Sequence, residues 1–178
     1  MLKKFSLQFI NTMVGVVLGL GFAWWTALKE PWSYIAFVFA YIDVIDYWID
    51  YEPSLKKFPA KREMDVMLDL GIIFSLFLYI YATQLSIVYF LAAFMLLKIL
   101  DFFWLLRAKR EYNPTGSDKV FTNTWLKLNI VEVVLSGLLI IAAYLFTIPS
   151  LAILITYIIM RVLVRIVSVK NYKRLHLA

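Results

Sequence analysis

Apolar residues run through this chain in six long stretches, at about 5–27, 31–51, 65–82, 85–106, 126–146 and 150–168. Each comes close to the roughly 20 apolar residues a helix needs to cross a bilayer. The pattern predicts an all-α polytopic membrane protein, with residues 1–178 forming a single transmembrane domain. The first stretch follows Lys3 and Lys4, is too long for a signal-peptide core and lacks a small-x-small cleavage site, so a retained helix is expected. Gly15-x3-Gly19 within it would permit close packing against another helix.

The polar breaks are of two kinds. "LKEP", "TQ" and "TIPS" are short and suit tight turns, with Pro31 and Pro149 at their ends. "EPSLKKFPAKRE" and "RAKREYNPTGSDKVFTNT" are longer and strongly basic. They predict three helical hairpins joined by two loops. Lys3, Lys4, Lys170, Lys173 and Arg174 make both ends basic as well, and only Lys29 falls on the opposite side. The positive-inside rule then puts both termini and both long loops in the cytosol, the membrane being the plasma membrane of a prokaryote.

Composition strengthens this picture. The chain is 63% hydrophobic and 17% charged, with a mean hydropathy of +0.80, where a soluble domain is about half apolar and a quarter charged. There is no cysteine, which excludes disulfides, thiolate metal sites and iron–sulfur clusters. The single histidine, His176, excludes a bis-histidine haem and a membrane-buried Ser-His-Asp triad, and reads as a solvated tail residue. The net charge of +6 sits at the flanks of the apolar runs. That distribution suits anionic lipid headgroups and not nucleic acid, for which no motif is present. The six tryptophans (Trp24, Trp25, Trp32, Trp48, Trp104 and Trp125) are expected in belts at the two membrane surfaces.

The candidate chemistry lies in the acids. Asp43, Asp46 and Asp50 share one face of the second helix, and Asp65 and Asp69 share one face of the third. Lys98 and Asp101 in the fourth helix, Asn129 and Glu132 in the fifth, Arg161 and Arg165 in the sixth and Asn11 in the first lie at comparable depth. All fall within about 15 Å of the cytosolic boundary at the helical rise. An ionisable residue inside a membrane normally faces a bundle interior or a water-filled cavity. A carboxylate-lined cavity open to the cytosol is therefore expected. Plainer roles compete: Asp50, Asp65, Asp69 and Lys127 as capping or solvated residues, Lys98 and Asp101 as a local pair, and Arg161 and Arg165 as side chains reaching to headgroups.

Asp43-x2-Asp46 followed by Asp65-x3-Asp69 could hold Mg²⁺ or Mn²⁺, hard ions that prefer oxygen ligands and grip phosphates. Arg161, Arg165 and Lys98 could contact phosphate directly. These pairs, with the length and helix count, resemble the CDP-alcohol phosphatidyltransferases, whose signature is Asp-x2-Asp-Gly-x2-Ala-Arg, then Gly-x3-Asp-x3-Asp. Here Tyr47, Asp50, Tyr51 and Lys61 stand in place of the signature's first Gly, Ala, Arg and second Gly. The resemblance implies a metal set of Asp43, Asp46, Asp65 and Asp69, with Asp69 as the base for an attacking hydroxyl. Asp43-x2-Asp46-x3-Asp50 also resembles the first aspartate motif of the UbiA-type prenyltransferases, with Ile42 in place of its leading Asn.

The leading expectation is thus a divalent-metal-dependent transferase acting on a phosphate-bearing lipid. Two others stand beside it. One is a channel or transporter for an ion or small solute, which would need a polar stripe through Tyr34, Thr83, Gln84 and Thr147 to the outer face. The other is a non-catalytic subunit, sensor or anchor whose charge layer is a structural network or docking face, in a homo-oligomer or with a partner membrane protein.

Overall fold

The computed structural model describes the backbone from Leu2 to His176 and the side chains of residues 8–170. The calls on Lys3, Lys4, Lys173, Arg174 and His176 therefore lie outside the described side chains. The elements are α1 (Leu2–Phe22), α2 (Pro31–Lys57), α3 (Glu63–Tyr81), α4 (Ile87–Tyr112), α5 (Gly116–Phe146) and α6 (Ser150–His176), with short 3₁₀ turns at Ala23–Ala27 and Ala82–Gln84. No strand occurs among the described residues. Six helices are long and apolar enough to cross a membrane. Large apolar side chains such as Ile42, Phe74, Leu138 and Ile159 stand exposed on their faces, a surface suited to lipid.

Helix starts follow local chemistry. Pro31 opens α2 where a missing N–H costs nothing, and Glu30 N–H donates to Ser33 Oγ at 3.3 Å. At the start of α3, Asp65 Oδ2 accepts from the backbone N–H of Lys61 and of Arg62, both at 2.8 Å. Ser86 Oγ caps α4 by accepting from Tyr89 N–H at 3.4 Å. Helices α4 and α5 each end on a left-handed residue, Asn113 and Thr147.

The two long basic loops are much shorter than the polar pattern implied. Helix α2 continues past Pro53 to Lys57, because Tyr51, Ser54, Leu55 and Phe58 are buried and Phe58 N–H closes the turn on Ser54 O at 2.8 Å. Helix α4 runs on to Tyr112. There Arg107 Nη2 donates to Phe58 O at 3.0 Å, and the Tyr112 hydroxyl donates to Pro59 O. Helix α5 begins at Gly116 rather than near 126, since Thr122 and Trp125 pack inward and the Thr122 hydroxyl bonds back to Asp118 O at 2.8 Å. Tertiary contacts thus outweigh the turn-forming tendency of Pro, Gly, Ser and Asp.

Helix α4 is central, packed against α3 and α5, while α1 lies on α3 and α2 touches α6, α3 and α1. One half of the bundle is filled by rings: Tyr79 stacks on Phe90 with centroids 4.8 Å apart, and Tyr157 meets Phe94 at 5.0 Å and Phe39 at 5.8 Å. Gly21 is a close-approach position. The Tyr41 hydroxyl, which donates to Leu18 O at 2.7 Å, occupies the space a Cβ on Gly21 would need. Gly21→Ala is expected to cost about 1–3 kcal/mol in a detergent unfolding titration, as overpacking does. Gly15 and Gly19 have no atom within 4 Å of their would-be Cβ. Gly15→Ala and Gly19→Ala are expected to be neutral or slightly stabilising in the same titration.

Candidate functional site

Helices α2 and α6 meet along a ladder. Phe39 packs on Tyr157, Asp43 pairs with Arg161, and Asp46 and Asp50 share Arg165. Residue numbers rise together on the two sides, so these helices run parallel. Each rung is one helical turn beyond the last.

The deepest rung is a chain of buried charges. Arg161 donates from Nε to Asp43 Oδ2 at 3.2 Å, from Nη2 to Asp43 Oδ1 and from Nη1 to Glu132 Oε1. Glu132 Oε2 in turn lies 3.2 Å from Lys98 Nζ. Asp43 is 8% exposed, Arg161 6%, Lys98 1% and Glu132 0%. Two acids and two bases therefore neutralise one another away from solvent, which is how buried charge is tolerated. The rings of Phe94, Tyr47 and Trp125 surround Lys98 Nζ at 5.3–5.6 Å from their centroids. On its far side Asp43 accepts from the Tyr79 hydroxyl at 3.3 Å, and Tyr79 lies 2.6 Å from the Tyr157 hydroxyl. A phenol has one proton to give, so Tyr157 is the donor to Tyr79.

The remaining acids are held separately. Arg165 lies 2.8 Å from Asp46 and also bonds Asp50, with all three side chains about a third exposed. Asp101 accepts from the Tyr47 hydroxyl at 3.0 Å and from Asn129 Nδ2 at 2.7 Å. Asp69, 1% exposed, accepts on one oxygen from the Tyr51 hydroxyl at 2.9 Å and from Trp104 Nε1 at 2.8 Å. Asp65 lies 3.2 Å from Arg107 besides its backbone donors. Asn11 is exposed on α1, outside these pairs.

The expected metal set is not gathered. Asp43, Asp46, Asp65 and Asp69 each face a different partner, and no group of three or more His, Cys, Asp or Glu converges among the described residues. Only Asp46 and Asp50 of the α2 acids point at one spot, the Arg165 guanidinium. Two carboxylates match the usual share a protein gives to Mg²⁺, the rest coming from phosphate and water. Mg²⁺ or Mn²⁺ at that pair would meet the Arg165 guanidinium, which already bridges both carboxylates.

What the fold does bring together is the expected phosphate set. Arg161, Arg165 and Lys98 all line one pocket between α2, α4, α5 and α6, together with Asp46, Asp50, Asp101 and the rings of Tyr47, Tyr51, Trp104 and Trp125. Its water-accessible cavity is only about 30 Å³. Its walls carry three carboxylates and three cations, so a ligand of a single sign would meet no net opposite charge. Asp69 does not line it, but bonds two side chains that do, Tyr51 and Trp104.

Several site residues were not read from the sequence. Tyr47 and Tyr51, stacked with centroids 5.2 Å apart, bond Asp101 and Asp69. Their signal was the i, i+4 spacing inside "YIDVIDYWIDY". Tyr79 and Tyr157 carried no comparable mark. Arg107 opens the second long basic stretch of the sequence, yet it pairs with Asp65 and sits 5.3 Å over the Trp104 ring. Trp104 and Trp125 are buried and line the pocket rather than forming a surface belt. No protein family, no curated protein and no solved structure matches this chain.

Proposed function

We propose that this integral membrane protein binds the headgroup of a phosphate-bearing lipid in the pocket between α2, α4, α5 and α6. The carrying observation is that Arg161, Arg165 and Lys98 share that pocket with Asp46, Asp50 and Asp101. A headgroup satisfies such walls when it carries both signs, either as a zwitterion or as a phosphate with Mg²⁺ or Mn²⁺. The basic segments at this end favour placing it, both termini and the two longer connections in the cytosol, with the helices as three hairpins in a prokaryotic plasma membrane. Metal-dependent transfer from such a headgroup, the activity suggested by the aspartate spacing, would place the ion at Asp46 and Asp50.

The test is thermal stability of the purified protein in detergent. Phosphatidylethanolamine, and phosphatidylglycerol with and without Mg²⁺, are titrated in. A ligand held at a hundred times its Kd stabilises by about 2.7 kcal/mol. Phosphatidylethanolamine is expected to raise the midpoint without metal, and phosphatidylglycerol to need Mg²⁺. No shift with any of these sinks the proposal.

A second reading has its own support, since every intramembrane carboxylate described above already has a partner in the same chain. The layer would then be the internal glue of a non-catalytic subunit, in a homo-oligomer or beside a partner membrane protein. Conduction is less well supported. The Tyr34 and Thr83 hydroxyls bond the Leu28 and Ile80 carbonyls, and the cluster of Tyr79, Phe90, Phe94 and Tyr157 fills the bundle beyond Asp43.

A further inference from the structure

As it stands the headgroup pocket has room for about two water molecules, so a headgroup enters only if one wall parts. The wall between α2 and α5 is the one already split. A cleft of about 300 Å³ lies there, lined by Ile49, Pro53 and Lys57 of α2 and by Ser117 and Asp118 of α5. Asp50, Ser54 and Phe121 line both cleft and pocket, which makes the first the antechamber of the second. Its ionic link is Lys57 Nζ to Asp118 Oδ1 at 2.6 Å, with side chains 56% and 36% exposed. Exposed pairs of this kind contribute about 0–1 kcal/mol, so this one opens readily. Beside the cleft, Ile42, Ile45 and Ile49 present an exposed apolar strip along α2.

We infer that the α2–α5 cleft is a lateral entry and seating site for a membrane lipid, with the Lys57–Asp118 pair as its latch. This rests on the headgroup reading of the pocket. The phosphate passes Lys57 on its way to Arg165, and the acyl chains stay outside along Ile42, Ile45 and Ile49. The occupant is a lipid of the leaflet at the basic end, not a water-soluble phosphate. Continuity of cleft with pocket and the apolar strip together select it.

The chain has no cysteine, so Lys57→Cys with Asp118→Cys gives two unique thiols that a short, reducible bifunctional reagent can join. The readout is binding of labelled phosphatidylglycerol in the presence of Mg²⁺ to the full-length protein in detergent. Glycerol phosphate serves as the soluble competitor. Lipid binding is expected before cross-linking, to fall at least tenfold after it, and to return on reduction. Unchanged binding after cross-linking overturns lateral entry and leaves the pocket reading intact. Glycerol phosphate competing as well as unlabelled lipid overturns the choice of a membrane occupant. No binding before cross-linking, with phosphatidylethanolamine also failing to stabilise the protein, overturns both readings.

Discussion

Arg161→Met lowers the stability of the folded protein by about 3–5 kcal/mol, the cost of breaking a buried ion pair by removing one partner. Two carboxylates lose their shared cation at once. Glu132 keeps Lys98 at 3.2 Å, but Asp43 keeps only the Tyr79 hydroxyl at 3.3 Å. The loss should therefore fall mainly on Asp43, and Asp43→Asn in the same chain should recover part of it. Neutralising the whole group, with Asp43→Asn, Lys98→Met, Glu132→Gln and Arg161→Met together, should bring stability back near the starting value, because a buried network replaced by apolar groups of similar volume is often neutral. Unfolding midpoints in mixed micelles of rising denaturing-detergent fraction report both results. A cost below about 1 kcal/mol for Arg161→Met alone would mean that water reaches Asp43 and that the charges are not sealed in.

Arg165→Gln behaves in the opposite way. Its side chain is about a third exposed, so stability changes little, while affinity for the lipid headgroup falls. A hydrogen bond to a charged group contributes about 1.5–3 kcal/mol, and each 1.4 kcal/mol is about tenfold in affinity. A loss of about 10- to 100-fold is thus expected in the lipid titration. Arg165→Lys should not restore it, since an ammonium lacks the planar fork that spans Asp46, Asp50 and a phosphate together. Unchanged affinity in Arg165→Gln would remove the pocket as the lipid site and leave the network as internal glue. The two arginines, one turn apart on α6, therefore separate the two readings: Arg161 reports on stability and Arg165 on binding.

Much of this architecture was legible in the sequence. The six apolar runs are the six helices, and the polar residues picked out in helices two, four, five and six do meet, whereas Asp65 and Asp69 of helix three are held apart by Arg107, Tyr51 and Trp104. The errors lie where local signals oppose tertiary ones. Pro53 and the Gly-Ser-Asp of 116–118 read as loop, yet α2 and α5 run through them because Phe58, Thr122 and Trp125 have buried places to fill. The carboxylates were visible, but their partners were not. Spacing on one helix says which residues share a face. It says nothing of which cation on another helix will stand opposite. The Asp43-x2-Asp46 spacing suggests joint metal ligands, whereas α6 answers each with its own arginine. Tyrosines hid in the same way, since a phenol near a carboxylate looks in sequence like one more aromatic residue.

The rungs between α2 and α6 carry a consequence for assembly. In lipid, helices gain little from hiding apolar surface from water, so apolar faces alone do not fix how far one helix slides along another. Moving α6 by one turn in one direction would bring Arg165 to Asp43 and push Arg161 up against Phe39. Moving it the other way would carry Arg161 down to the acids now held by Arg165 and leave Asp43 facing Tyr157. Either slip strands a charge among rings. The arginines thus act as teeth of a key, and α6 has one depth alongside α2 at which every tooth finds its notch.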